Sequence, residues 1–194
     1  MTTDKSVQEW FETYLFPKYD HTRLTAEQWD EIYENGGYGG QGSGAGSLLE
    51  HNEELIKIFD DFVIKNEIKS LIDIGCGAMQ WLPFSNTFSE LDYTGIDGSQ
   101  IVIESNIEKL SSPTKKFICS DLFKFESDDE FDLLLCKDVY QHNQSDELKQ
   151  GLTQKIKSIK SKHKMVIVPQ DLDDGEYPLT LNYMSDEMKT IMFC

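Results

Sequence analysis

Five stretches of nearly continuous apolar residues, set apart by helical or loop segments, restrict what this 194-residue chain can fold into. They are "SLIDIGC" (70–76), "LDYTGID" (91–97), "KKFICSDL" (115–122), "FDLLLCKD" (131–138) and "KMVIVPQ" (164–170). Strands that are apolar on both sides belong to a sheet covered on both faces, which is the situation of parallel sheets. Between them "SQIVIESNIEKL" (99–110) and "SDELKQGLTQKIKSIK" (145–160) have helical spacing, with Leu148, Leu152, Ile156 and Ile159 in step. The expectation is an α/β, Rossmann-like domain with a mostly parallel central sheet flanked by helices. The length suits one domain, and neither a repeat nor a break interrupts it. We therefore expect a single unit over 1–194, with a helical extension and glycine-rich lid at 1–47 and the core at 48–194. After the fifth strand 24 residues remain, with short strands at most around "PLTLNY" and "KTIMFC". The C-terminal part of the sheet is expected to be abbreviated.

The first 35 residues have helix-like spacing. Trp10, Tyr14 and Leu15 fall about one turn apart, and beyond Pro17 the segment "TAEQWDEIYE" reads as a capped helix from Thr25. Trp29, Ile32 and Tyr33 share one side of it. Then "GGYGGQGSGAGSLLE" (36–50) places seven glycines in its first eleven residues. Glycine serves either a slack tether or a loop that a ligand approaches closely. Ser47 and Glu50 have capping-box spacing, so a long amphipathic helix is expected to about Lys65, burying Leu48, Leu55, Ile58, Phe59 and Phe62. The glycines thus feed a helix N-terminus, whose free N–H groups favour anions.

The net charge of −17 and a single arginine, Arg23, argue against a partner bound along a nucleic-acid backbone. Of the four cysteines, Cys76, Cys119 and Cys136 lie in apolar runs, and none of the four forms a CxxC pair; reduced, buried thiols are expected. The N-terminus has no apolar signal region, and no run of about 18 apolar residues offers a membrane span. A soluble, cytoplasmic protein is expected. Sparse arginine beside abundant Lys, Asn and Ile hints at an AT-rich, viral genome.

The chemistry concentrates at the strand ends. Gly75 and Gly77 follow the first strand, where ligands bind in open α/β sheets. Asp97 ends the second strand 22 positions after Gly75, a spacing suited to ribose hydroxyls. Asp121 ends the third. A dinucleotide fingerprint would need a third glycine where Gln80 stands, and no P-loop sequence occurs. S-adenosylmethionine (SAM) competes with a dinucleotide: it carries ribose and adenine without phosphates, and its sulfonium suits a carboxylate-lined cleft.

The motifs "LIDIGCG", "YTGIDGS", "ICSDLF" and "FDLLLCKD" resemble those of class I SAM-dependent methyltransferases. With "IYENGGYGGQGSGAGSLLE" and "LLLCKDVYQH" included, the chain is similar over about residues 30–170 to a subgroup with a Gly/Ser-rich segment before the core and D-x-x-x-H after the fourth strand. Some related viral and bacterial enzymes O-methylate sugars. The resemblance implies that Asp73, Gly75, Cys76 and Gly77 surround the methionine part of SAM. It implies that Asp97 and Gly98 hold the ribose, that Asp121 and Leu122 face the adenine, and that Lys137 borders the cofactor. The glycine-rich segment becomes a lid, with Ser43 and Ser47 near the cofactor carboxylate. The resemblance also implies a helix and an antiparallel strand pair after the fifth strand, for which few residues remain.

Methyl transfer to a hydroxyl needs alignment and a base. Asp138 and His142 are four apart and share a face if that turn is helical. They are the candidate catalytic residues: Asp138 as base, with His142 as its partner or as the base itself. Asp171, Asp173 and Asp174 with Asp138 offer carboxylates for Mg2+, but a solvated loop is the plainer reading and no metal ligand is assigned. Trp81 borders the pocket or the core. Tyr38 and Tyr140 are candidates to stack on an acceptor ring, or ordinary packing. The expected acceptor is a carbohydrate hydroxyl or a small molecule, the product S-adenosylhomocysteine (SAH). Methylation of a protein side chain and a silent SAM-binding protein are the alternatives.

Overall fold

The computed structural model describes residues 23–37, 42–143, 145–169, 179–184 and 188–192. Trp10, Tyr14, Leu15, Pro17, Tyr38, Asp171, Asp173, Asp174 and Cys194 lie outside them. The strands are β1 (Ser70–Ile74), β2 (Asp92–Asp97), β3 (Lys115–Cys119), β4 (Phe131–Lys137), β5 (Ser161–Pro169), β6 (Leu179–Met184) and β7 (Met188–Met192). The helices are α1 (Ala26–Glu34), α2 (Leu49–Lys65), α3 (Gln100–Leu110) and α4 (Asp146–Ser158). One seven-stranded sheet has the order β3-β2-β1-β4-β5-β6-β7. β1 to β5 are parallel; β6 and β7 are antiparallel. The sheet is therefore not abbreviated at β5, as the sequence suggests. Val168 pairs with Thr180 and Asn182 with Thr190, so the last residues double back as a hairpin.

The apolar runs follow from coverage of both faces. On one side Leu71, Leu133, Leu135 and Met165 pack with Leu55, Phe59 and Val63 of α2 and Ile103 of α3. On the other, Ile72, Ile74, Leu134, Cys136 and Val166 pack with Leu152 and Ile156 of α4. Each such side chain contributes about 1.5–3 kcal/mol on burial. β3 is an edge strand, and Cys119 near its end is exposed rather than buried as expected, while Cys136 in the central β4 is fully enclosed.

α1 starts with a capping box: Gln28 N donates to Thr25 Oγ1 at 3.4 Å, and Thr25 N donates to Gln28 Oε1 at 2.8 Å. The expected cap at Ser47 does not form. Ser47 ends a short 3-10 turn (Ala45–Ser47), and Leu48 takes the cap position without a side-chain hydrogen bond. Asn52, fully buried one turn into α2, ties the entry down by donating to Gly46 O and Leu48 O at 2.8 and 2.6 Å.

Because β1 to β5 run parallel, their carboxyl ends share one edge of the sheet. The chain steps outward from β1 to β3 and then returns to the other side of β1 as β4. The crevice opens at that switch point, between the ends of β1 and β4.

Candidate active site

A cavity of about 490 Å³ lies over this edge, within the size range of small-molecule sites. All the candidate residues line it: Ser43 and Ser47 from the glycine-rich segment, Asp73, Gly75, Cys76 and Gly77 from β1 and its loop, Asp97 at the end of β2 and Gly98 after it, Asp121 and Leu122 after β3, Lys137 at the end of β4, and Asp138 and His142 after it.

The loop after β1 is held from several sides. Gly77 N donates to Asp97 Oδ2 at 2.9 Å, and Asn106 Nδ2 of α3 donates to Gly77 O at 2.8 Å. Gly77 has φ +54, and a Cβ there would stand 2.4 Å from Ser43 Oγ. At Gly75, with φ +76, a Cβ would meet Val139 Cγ2 at 2.4 Å. Only glycine fits both positions. Asp97 also accepts from Ser99 N at 3.0 Å, and the Gly98 N–H pulls on it too, yet the four acceptor sites of a carboxylate still leave room for a further donor. The N-cap of α3 is Ser99, whose Oγ accepts from Val102 N at 3.2 Å and donates to Asp30 Oδ1 of α1 at 2.7 Å.

The glycine-rich segment docks on the core. Ser43 N donates to Gln80 Oε1 at 2.7 Å, Ala78 N donates to Ser43 Oγ at 2.7 Å, and the Tyr33 and Ser43 hydroxyls are 2.9 Å apart. Lys137 Nζ donates to Gly46 O at 2.8 Å and is paired with Asp138. The described part of the segment is thus a contact surface, and Gln80 secures it from the third glycine position of a dinucleotide loop.

Burial sets the electrostatics. Asp73 is 5% exposed. Desolvation pushes its carboxyl up to about 7, although the Tyr93 hydroxyl donates to it at 2.9 Å and Lys137 lies nearby. Burial also raises Asp97, against the opposing pull of N–H groups from Ser99, Gly77 and Gly98. Desolvation lowers the His142 imidazole to about 4, against the attraction of Asp138, so it is neutral near pH 7. Desolvation raises the Cys76 thiol too, with Asp97 and Asp73 adding to it. Asp73, Asp97 and Asp138 face a single buried ammonium, Lys137, and this part of the cavity favours a cationic ligand.

The turn after β4 is not the helix that would align Asp138 with His142. It is a 3-10 turn over Tyr140–His142, and Asp138 precedes it in a left-handed conformation, φ +57. Asp138 and His142 nevertheless line the same cavity. Tyr140 packs against the second core layer with its hydroxyl 2.9 Å from Thr153 Oγ1, so it serves as packing. Trp81 does both jobs expected of it: it stands edge-on to Phe59 in the core, ring centroids 6.1 Å apart, and lines the cavity. Among the described residues no group of three or more His, Cys, Asp or Glu side chains could hold a metal ion. No helix among them is long and apolar enough to cross a membrane.

Sequence reasoning missed the wall formed by α1. Arg23, just before it, pairs with Asp121 and lies 4.2 Å from the centre of the Phe123 ring. Trp29 stands edge-on to His142 with ring centroids 5.1 Å apart. Tyr33 reaches Ser43. The shared side of Trp29 and Tyr33 was visible in the sequence, but its target was not.

Residues 71–162 match the family model of a methyltransferase domain. No curated protein matches the chain in sequence. Among solved structures, the chain is similar to the plantazolicin methyltransferase BpumL in complex with a monoazolic desmethylPZN analog and SAH. The identity is 21% and the TM-score 0.52, over 84% of this chain and 56% of that one. It is similar to the methyltransferase domain of bacterial CtHen1, with 18% identity and TM-score 0.52 over 61% and 67%. The glycopeptide N-methyltransferase MtfA, complexed with SAM, has 12% identity and TM-score 0.50 over 64% and 54%. The chain spans little more than half the length of BpumL and of MtfA. The family match covers β1 to β4, which carry the site, and the chain has the Rossmann-like fold of these SAM-dependent methyltransferases.

Proposed function

We propose that this chain is a SAM-dependent methyltransferase acting on a hydroxyl, that of a sugar in a glycan or glycan precursor. The observation that carries the cofactor reading is the cavity at the β1/β4 switch point, whose carboxylates Asp73, Asp97, Asp121 and Asp138 lie inside the segment matched to a methyltransferase domain. Asp97 retains acceptor capacity for ribose hydroxyls. Asp121 and the Leu122 backbone lie at the far end for adenine, and Asp73 with the Gly75–Gly77 loop lies beside Lys137 for the aminoacyl part. Bound SAM supplies an electrophilic methyl group on a cationic sulfur.

The chain's own residues supply alignment and proton transfer. The α1 helix and the glycine-rich segment wall the cavity against water. With the acceptor hydroxyl aligned in the cavity, neutral His142 would take its proton and the Asp138 carboxylate would stabilise the resulting imidazolium. Fixed alignment of this kind contributes about 7–11 kcal/mol to a displacement. An amine acceptor is the second reading, supported by the similarity to a glycopeptide N-methyltransferase.

The first test is calorimetric titration with SAM and SAH of the wild type and Asp97→Ala. Micromolar binding weakened at least about 100-fold by the substitution is expected, since two hydrogen bonds to a carboxylate contribute about 1.5–3 kcal/mol each. A wild type that binds neither compound refutes the reading. Methyl-labelled SAM with carbohydrate and polypeptide fractions then separates the acceptors: label in carbohydrate supports the sugar. Asp138→Asn, which tolerates the left-handed backbone, should keep SAM binding and lose transfer.

A further inference from the structure

His142 lies on the turn after β4 and Trp29 on α1, far apart in the chain. The fold brings their rings together edge-on, with centroids 5.1 Å apart and planes at 90°. Both residues are half-buried, and both line the cavity. The indole has a fixed seat. A Cβ on Gly98 would lie 3.8 Å from Trp29 Cδ1, so the ring also stands beside the loop after β2. Its neighbour on α1, Asp30, accepts through Oδ1 from Ser99 Oγ at 2.7 Å and from Ile101 N at 3.2 Å, which ties the helix to the start of α3. A side chain held in this way can hold another in turn.

We propose that Trp29 is the positioning residue of His142: its indole holds the imidazole in one orientation in the cavity and keeps water from one side of it. The proposal rests on the reading of His142 as the proton acceptor. An aromatic pair of this separation and angle contributes about 0.5–1.5 kcal/mol beyond its burial, which favours one ring orientation over the others. The water that the indole displaces would have solvated the charged ring, so its exclusion favours the neutral one. Trp29 has no charge, and its influence on the ionisation of His142 acts through packing alone. The ionisable groups on the elements around the imidazole are Asp138 on the same stretch, Lys137 at the end of β4, and Arg23, Glu27 and Asp30 on or next to α1. β5, which also packs on this turn, presents the apolar Ile167 there. Asp138 attracts a proton to the imidazole, and desolvation outweighs it. A change at Trp29 leaves every one of these charges in place.

The experiment follows the His142 ring in the full chain by proton NMR, with His142→Gln to assign its signals. The wild-type ring should titrate near 4. Trp29→Ala should raise that midpoint by about one pH unit or more, toward the ordinary value of about 6.5. Trp29→Phe, which keeps an apolar ring, should hold it within about half a unit of the wild type. The Ile101 amide, bonded to Asp30, reports whether α1 keeps its seat, and its signal should stay in place in both variants. An unmoved midpoint in Trp29→Ala would overturn the proposal. So would a fall, which would mean that the indole favours the charged ring. A rise together with a displaced Ile101 amide would assign the effect to the docking of the helix rather than to the indole, and would overturn it as well. Calorimetry with SAM and SAH separates the two readings. A wild type that binds neither would refute the cofactor reading and this role with it, whereas binding with an unmoved midpoint would remove this role alone.

Discussion

Asp73→Asn should gain stability relative to the wild type as pH rises through the range in which folded Asp73 titrates. In the folded state the Asp73 carboxyl rises from an ordinary 3.8 to about 7, mainly through desolvation, aided by Asp97 and opposed by the Tyr93 hydroxyl and Lys137. Each tenfold change in an ionisation constant corresponds to about 1.4 kcal/mol, so about three decades make an upper value of about 4 kcal/mol. The sign follows from proton counts. Below pH 3.8 both folded and unfolded Asp73 are protonated and no cost exists. Between that and pH 7 the folded state holds a proton that the unfolded state has released, so wild-type stability falls as pH rises. Above about pH 7 both are ionised and the cost is constant. Asn is neutral throughout and its Oδ1 can still accept from Tyr93, so the variant escapes this cost. Its new amide group adds an offset that does not depend on pH. The quantity to read is therefore the stability difference, variant minus wild type, across pH 5–7.5. Urea unfolding followed by tryptophan fluorescence measures it. The difference should grow by up to about 1.4 kcal/mol per pH unit and level off above pH 7. A flat difference would refute the reasoning. The depressed His142 titrates in both proteins and cancels in it.

By proton NMR, His142 should titrate with a midpoint near 4 and remain neutral from pH 6 to 8, because desolvation outweighs the attraction of Asp138. A midpoint near 6.5 would remove the desolvation argument, and Asp138→Asn should move the midpoint lower still. Gly77→Ala should cost about 1–3 kcal/mol in urea unfolding, because φ there is +54 and the new methyl would meet Ser43 Oγ. A stability change within about 0.5 kcal/mol would show that the glycine-rich segment yields freely.

Much of the fold was legible because burial on both faces writes itself into the sequence. A strand such as Phe131–Lys137 must be apolar at successive positions when one set of side chains meets α2 and the next meets α4. Once the strands are placed, Gly75, Gly77, Asp97, Asp121 and Asp138 fall at their carboxyl ends by chain position, and the candidate site follows. The exposed Cys119 was not legible, since nothing within "KKFIC" records that β3 lies at the edge of the sheet. Nor was the uncapped start of α2, where Asn52 fastens the entry through the carbonyls of Gly46 and Leu48 and no side chain takes the N–H role expected of Ser47.

The sequence by itself thus determined the layered α/β architecture and the loops that carry the polar site residues, because both depend on local periodicity and on position along a strand. Only the tertiary structure decided that α1 walls the cavity, that Trp29 meets His142 and Tyr33 meets Ser43, and that desolvation moves Asp73 and His142 in opposite directions. An amphipathic helix has the same pattern whether it covers a core or a ligand site. A carboxyl or imidazole acquires its ionisation only from the neighbours and the solvent that the finished fold leaves around it.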